Sequence, residues 1–411
     1  MYFVYRIFTN LIILISPIII LFRLIYKKEE LLSISEKFCI YSKKNNLKSI
    51  WFHAASVGEL MSILPIVDKL ERNRKIKQIL VTTTTISSAK IFHRKKFKKT
   101  HHKYYPLDTN FLTNKFIRVW KPQIAIFVDS EIWPNMIENL YFKKIPIILL
   151  NARITRKSFN KWNLVQNFAE SIFSKISLAL PSNLETKMFL KKLGVKKIKI
   201  AGNLKYYGER KINLKGKINL NKKFNNFKIW CAASTHNSEE IFVSKLHKDL
   251  KKNEKKLLTV IIPRHINRSK NVINNLKHDN LNVITHTSGK KLKKNTDIYL
   301  VDTYGEASRF YSLSKVTFMG GSMIKHGGQN PLEPARLGNY IISGPNIENF
   351  KEIYKFLEKN KMSTRTSNTT KIKKIINMRL NKKLSNHNKE KIFRIGDKIL
   401  NKNISCISKY I

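Results

Sequence analysis

From residue 49 onward, short runs of consecutive apolar residues alternate with longer stretches whose apolar positions recur at helical spacing. A run that is apolar at every position suits a strand buried on both faces of a parallel sheet. The pattern predicts such strands at 49–55, 78–84, 123–129, 146–152, 177–181 and 197–202. The polar segment 208–226, "GERKINLKGKINLNKKFNN", has no period and reads as an interdomain linker. The alternation then restarts, with strands expected at 228–234, 257–263, 281–286, 297–302, 315–321 and 340–345. Two such blocks predict an α/β protein of two facing, doubly wound, Rossmann-like domains, 27–207 and 227–411, with a separate N-terminal segment, 1–26.

That N-terminal segment holds sixteen uncharged residues between Arg6 and Arg23, "IFTNLIILISPIIILF", flanked by Tyr2, Tyr5, Phe22 and Tyr26. The run is shorter than the ~20 residues that cross a bilayer squarely, and Pro17 predicts a bend. No small-residue cleavage site follows it. A membrane anchor is the favoured reading, against a buried core helix or a cleaved signal. The Lys27-Lys28 pair behind it predicts that the bulk of the chain stays on the cytoplasmic side.

Composition changes this picture only in part. Net charge is +52, drawn mostly from lysines spread along the chain. Such an excess attracts anionic lipid or phosphorylated substrates, but no aromatic-basic platform or nucleic-acid motif accompanies it, so nucleic acid is not an expected partner. Cys39, Cys231 and Cys406 are far apart and odd in number, which excludes a disulfide framework and suits a reducing compartment. There is no Asp-x-Asp motif, no metal-ligand spacing and no Gly-x-Ser-x-Gly nucleophile motif; no metal and no cofactor are expected.

In doubly wound sheets ligands bind at the carboxyl ends of strands, and most of the chemically suggestive motifs stand there. "MGGSMIKHGGQNPLEPARLG" (319–338) pairs two glycine doublets with Asn330 as a helix cap, Pro331 at the first helical position and Leu332 behind it, a helix start suited to a phosphate. Glu333 either bonds a ribose hydroxyl or completes the cap. Pro263-Arg264 ends a strand, with Arg264 placed to clamp a phosphate or carboxylate. Tyr304, Gly305 and Glu306 leave another strand; Gly305 lets amides turn toward a ligand, and Glu306 is placed to cap the following helix. In the first block "VDSEIWPN" carries Asp129 and Glu131 out of a buried strand, and Lys205 stands in "AGNLK" beside the linker.

Glu59 poses the sharpest choice. In "WFHAASVGEL" the Ser56-x-x-Glu59 spacing is that of a capping box. Pro65 opposes that reading, because proline is tolerated in a helix's first turn and costs about 3 kcal/mol deeper in. If Ser62 caps the helix instead, Pro65 falls in the first turn and Glu59 stands free in the loop. The proline favours this second reading.

Taken in order, "HAASVGE", "TTTTISSA", "PLD", "DSEIWPN", "NARIT", "GNLK", "ASTH", "IPRH", "DTYGE" and "GGQNPLEPA" resemble the 3-deoxy-D-manno-octulosonic acid (Kdo) transferases. The resemblance runs over nearly the whole chain. It implies a GT-B glycosyltransferase, inverting and metal-independent, that moves Kdo from CMP-Kdo to the lipid A precursor lipid IVA at the cytoplasmic face of the inner membrane. It further implies Glu59 as general base, Glu131 and Lys205 as charge-placing residues, and Pro263, Arg264, Tyr304, Gly305, Glu306, Asn330, Pro331, Leu332 and Glu333 as the CMP site. The chain departs from the family pattern at Gln329, Tyr206-Tyr207, Asn237-Ser238 and Tyr304. Two rivals stand beside this reading: a GT-B lipid glycosyltransferase using a UDP-sugar, and a basic membrane- or nucleic-acid-binding protein.

Overall fold

In the computed structural model of the chain, residues 1–26, 29–41, 47–208, 222–382 and 386–411 are described, His387 by its backbone alone. They divide into two compact units, Met1–Tyr207 with Gly396–Ile411, and Gly208–Ile395.

The apolar runs of the first unit form a six-stranded parallel sheet, ordered β3-β2-β1-β4-β5-β6. Its strands are β1 (Ser49–His53), β2 (Ile79–Thr83), β3 (Thr100–Tyr104), β4 (Pro122–Val128), β5 (Ile147–Ala152) and β6 (Leu178–Pro181). Because side chains alternate across a sheet, one run serves two cores. Trp51, Ala125 and Phe127 face one cluster, while Ile50, Phe52, Ile124 and Ile126 face the other. In register, Trp51 lies beside Leu80 of β2 and Ala125 of β4.

Two expectations change here. The run 197–202 makes only an isolated bridge, Ala179 to Ile198, before the chain leaves the sheet. The polar stretch "THHKY" is the edge strand β3, with His101 exposed between buried Thr100 and His102.

The second unit holds a seven-stranded parallel sheet, ordered β13-β12-β11-β7-β8-β10-β9. Its strands are β7 (Lys228–Thr235), β8 (Leu257–Pro263), β9 (Val283–Thr285), β10 (Ile298–Leu300), β11 (Val316–Met319), β12 (Tyr340–Ser343) and β13 (Ser363–Arg365). The three-residue β13 has no apolar run to announce it. In each sheet the chain starts at the centre, goes to one edge, then returns to the centre and works to the other; in the second sheet β9 takes the edge before β10 fills the place between it and β8. The strand order therefore reverses between β1 and β4, and between β7 and β11.

The interdomain linker read at 208–226 lies for the most part, 209–221, outside the described residues. At its end Phe224 is buried, its ring 5.1 Å from that of Tyr299. The sequence pattern also assigned all of 227–411 to the second domain, whereas Gly396–Ile411 belongs to the first unit. The reason is packing: Leu400, Cys406 and Ile407, on the C-terminal helix Asn386–Ile407, fill the core on the Ile50–Phe52 face.

The N-terminal helix Tyr2–Ile25 runs continuously through Pro17. With an 18-residue window of mean hydropathy 2.3 it is long and apolar enough to cross a membrane. Only Thr9 and Ser16 are buried, which rules against a core helix.

The C-terminal helix reaches the turn carrying Lys205 through two glycines. A Cβ on Gly396 would lie 2.7 Å from the Tyr206 carbonyl oxygen and 2.8 Å from Tyr207 Cα, and one on Gly202 would lie 2.8 Å from Ile399. Gly396→Val should therefore push the helix off this turn and lower stability by about 1–3 kcal/mol, as overpacking does. A fall in the urea midpoint of the full chain checks this.

Candidate active site

Glu59 lies in a helix, contrary to the loop reading. Ser56 caps the helix Val57–Glu71, its Oγ accepting the Glu59 N–H at 3.4 Å, and Pro65 falls inside that helix. The proline signal misled because burial of Leu60, Ile63, Leu64, Ile66, Val67 and Leu70 on one face outweighs the proline's local cost. Ser62 donates to the Glu59 carbonyl at 2.6 Å and caps nothing.

The cap does not remove Glu59 from chemistry. Its Oε2 accepts the Ala55 N–H at 2.8 Å and its Oε1 accepts the Ser56 hydroxyl at 2.9 Å, so the carboxyl is oriented at the exit of β1. Half-burial pushes its pKa up to about 7, and the nearby charges of Glu131 and Asp129 push the same way. The bonds from Ser56 and Ala55 pull against that rise without cancelling it.

Glu131 leaves β4, the neighbour of β1 at the strand-order reversal. Its Oε2 accepts the Trp133 indole N–H at 2.8 Å and lies 3.3 Å from His53 Nε2. His53 ends β1, is buried, and stacks on Tyr105 with ring centroids 3.9 Å apart. Its Nδ1 lies 3.0 Å from Thr82 Oγ1, which accepts the Trp51 indole N–H at 2.9 Å. A chain in which Trp51 donates to Thr82, Thr82 to His53 and His53 to Glu131 satisfies these atoms, with the proton on Nε2 of the imidazole.

Asp129 and Asn151 end adjacent strands in left-handed backbone, with φ of 57° and 53°. Asn151 Nδ2 donates to Asp129 at 2.5 Å, and Asn151 Oδ1 accepts the Leu204 N–H at 2.9 Å. This tether brings in the Lys205 turn. Burial raises the Asp129 pKa, while the Lys205 charge and the Asn151 bond oppose that rise. Glu59, Glu131 and Lys205, the three residues expected to carry the chemistry, thus meet in one electrostatic group with Asp129. The sequence reading passed over His53, Trp133 and Asn151 as individual residues. Their signal is position: each lies at or just past a strand's carboxyl end.

In the second unit the motifs also converge at strand ends. Ser234 is left-handed (φ 55°), and Arg264 donates its backbone N–H to the Thr235 carbonyl at 3.0 Å. Arg264 is exposed, and its charge reaches the buried ring of His236. His326 packs on that ring at 4.1 Å between centroids, and Gln329 Nε2 lies 3.3 Å from His236 Nε2. Burial first, then His326 and His265, hold His236 down to about 4, so it is neutral at pH 7. Asn330 Oδ1 accepts the Leu332 N–H at 3.1 Å, Pro331 precedes the first helical residue, and the helix Leu332–Arg336 is only five residues long. Glu333 is exposed as a residue, yet the protein around its carboxyl raises its pKa, with Arg336 opposing.

Tyr304 is 68% exposed, and Gly305, with φ of 87°, faces open space. Glu306 stands at the N-cap position of the helix Ala307–Leu313 but its side chain makes no cap bond, pairing instead with Arg309 at 2.7 Å. That helix carries Tyr311, which feels the Glu333 charge. The residue that organises these loops is Glu239, also missed from sequence. Its buried carboxylate accepts the N–H groups of His236, Gly321, Ser322 and Met323 at 2.7–3.1 Å. Ser238 sits just before it at φ 73°, a conformation that glycine adopts without strain and serine does not.

Two doubly wound parallel units, each with a strand-order reversal at which titratable residues gather, define the GT-B fold class. The solved UDP-GlcNAc 2-epimerase of Neisseria meningitidis shares the fold at 12% identity, with a TM-score of 0.56 over 89% of this chain and 99% of that one. Residues 33–207 match the family described as 3-Deoxy-D-manno-octulosonic-acid transferase (kdotransferase). The 3-deoxy-D-manno-octulosonic acid transferase of Rickettsia bellii is 32% identical over 98% of this chain and 99% of its own length. That of Haemophilus influenzae is 33% identical over 75% of this chain and 74% of its own. The chain belongs to the Kdo transferase family.

The raised pKa of Glu59 has a thermodynamic consequence. Its folded value, about 7, lies above the unfolded 4.5. The folded chain therefore binds the extra proton between those values, and stability present below pH 4.5 is lost as pH rises through 7. Glu59→Gln carries no such titration. Urea unfolding of both proteins at pH 5 and pH 8 should show the variant gaining on the parent at pH 8.

Proposed function

We propose that the chain transfers Kdo from CMP-Kdo to lipid IVA, with inversion at the anomeric carbon and without a metal, at the cytoplasmic face of the inner membrane. The observation that carries this reading is the Glu59 carboxyl, oriented by two hydrogen bonds and raised to a proton affinity near neutrality beside Glu131. A base works best when its pKa lies near the working pH.

In this reading an acceptor hydroxyl of lipid IVA loses its proton to Glu59 as it attacks the anomeric carbon, and CMP leaves from the opposite side. Glu131, held by Trp133 and His53, keeps its negative charge in place and keeps Glu59 basic. Lys205 supplies the positive charge of the group, placed to meet the negative charge of the sugar carboxylate. In the second unit Arg264 stabilises the phosphate of departing CMP. Pro263 sets Arg264 at the strand end, and the exposed Tyr304 and open Gly305 offer a face and amides to the nucleotide. Glu306 and Glu333 supply acceptors for ribose hydroxyls, and Asn330, Pro331 and Leu332 shape the loop above them. The apolar N-terminal helix seats the chain on anionic lipid, where the acceptor resides.

Glu59→Ala should leave the chain folded and CMP binding unchanged, while transfer of Kdo to lipid IVA falls by about 10²–10⁴-fold. Mass spectrometry of the product, with and without a chelator, reads both transfer and metal independence. Turnover near that of the parent would refute the base assignment. Arg264→Ala should weaken CMP about 10–100-fold in calorimetry, the effect of removing one charge-assisted contact; unchanged affinity would remove Arg264 from the site.

A further inference from the structure

The N-terminal helix is held against the first unit at both ends. At its start the Tyr5 hydroxyl donates to Asp108 at 2.8 Å and the Tyr2 hydroxyl to Asn135 at 3.2 Å. Arg6 donates to Asn110 at 3.1 Å, and Asn135 donates to Thr9 at 3.2 Å. At its far end Arg23 pairs with Glu29 at 2.9 Å. Glu29 is also bonded by Ser33 and Lys37 of the short helix Leu31–Lys37, and Glu36 of that helix pairs with Lys103 of β3. Between the ends, the positions not exposed are 2, 5, 6, 9, 13, 16, 20 and 24, a single stripe at helical spacing along the whole length. Ile13 packs on the core that contains Trp51.

A helix of 24 residues is about 36 Å long, more than the ~30 Å hydrocarbon thickness of a bilayer. Crossing it would put Tyr2 and Arg23 in different aqueous compartments, and the first unit cannot bond both. We propose that this helix does not span the membrane but lies in its plane, docked on the first unit by this stripe. Its opposite face sinks into the headgroup–acyl boundary of an anionic bilayer. That face carries Phe3 and Leu14, each 74% exposed, with Phe8, Leu11, Ile18 and Leu21. The +52 net charge and Arg23 complement anionic headgroups. Asp108, which receives Tyr5, also accepts the N–H groups of Asn135 and Met136, at the start of the helix that follows Glu131 and Trp133. The lipid-seated helix thus holds the segment that presents Glu131.

This inference rests on the membrane association proposed above and not on the transfer reaction. The test uses the full chain with a hydrophilic epitope and protease site added before Met1, expressed in a Gram-negative host. Inverted inner-membrane vesicles and intact spheroplasts are treated with protease. An in-plane helix predicts that the chain sediments with membranes and that the epitope is cleaved in inverted vesicles and protected in spheroplasts. Cleavage in spheroplasts with protection in inverted vesicles would overturn the in-plane helix and leave membrane association standing. Failure to sediment with membranes would overturn both.

Discussion

Two carboxylates that repel one another are held together at the end of one parallel sheet, and the chemistry follows from how unequally the protein treats them. Glu131 receives an indole N–H and faces an imidazole. Glu59 is half-buried and receives one backbone N–H and one hydroxyl, which do not compensate for its loss of water and the neighbouring charge. The affinity of Glu59 for a proton is raised as a result. A pair with identical surroundings would share the proton and leave neither carboxyl suited to a single role. The Trp51–Thr82–His53 chain behind Glu131 shows how deep this asymmetry is built, since it begins at a tryptophan in the middle of the core.

The loops that carry these groups depend on backbone that ordinary residues avoid. Asp129 and Asn151 take left-handed conformations at the ends of β4 and β5, and their mutual bond converts that strain into a fixed position for the Lys205 turn. In the second unit Ser234 and Ser238 are left-handed on either side of His236. There Glu239 compensates by gathering four amides onto one carboxylate, which locks the segment after β7 to the glycine loop after β11. Those amides are consequently committed to the protein's own side chain. A phosphate brought to this unit would find the amides of Gly321, Ser322 and Met323 already taken.

Much of the fold was legible because buried parallel strands carry a local signature. The runs "LLTVIIP" and "QIAIFVD" coincide with β8 and β4 to within a residue. The edge strands β3 and β13 were not legible, because half of an edge strand faces water or lacks a second neighbour and needs no apolar run. The run at 197–202 is apolar for a different reason: it leaves the sheet to pack against the C-terminal helix. Pro65 misdirected the reading of Glu59 because a propensity of a few kcal/mol was weighed without the burial of six apolar residues on the same helix.

The sequence by itself determined the two alternating blocks, the strand-end location of the chemically active motifs and the apolar N-terminal helix. These are properties of neighbouring residues, and hydrophobic burial reads them directly from their spacing. Only the tertiary structure decided that burial raises the proton affinity of Glu59, that His53 supports Glu131 across 78 positions, and that Asn151 fixes the Lys205 turn across 53. It also decided that the last sixteen residues complete the first unit. Charge, desolvation and hydrogen bonding depend on distance in space, and the chain order that writes the strands does not encode which of their ends will meet.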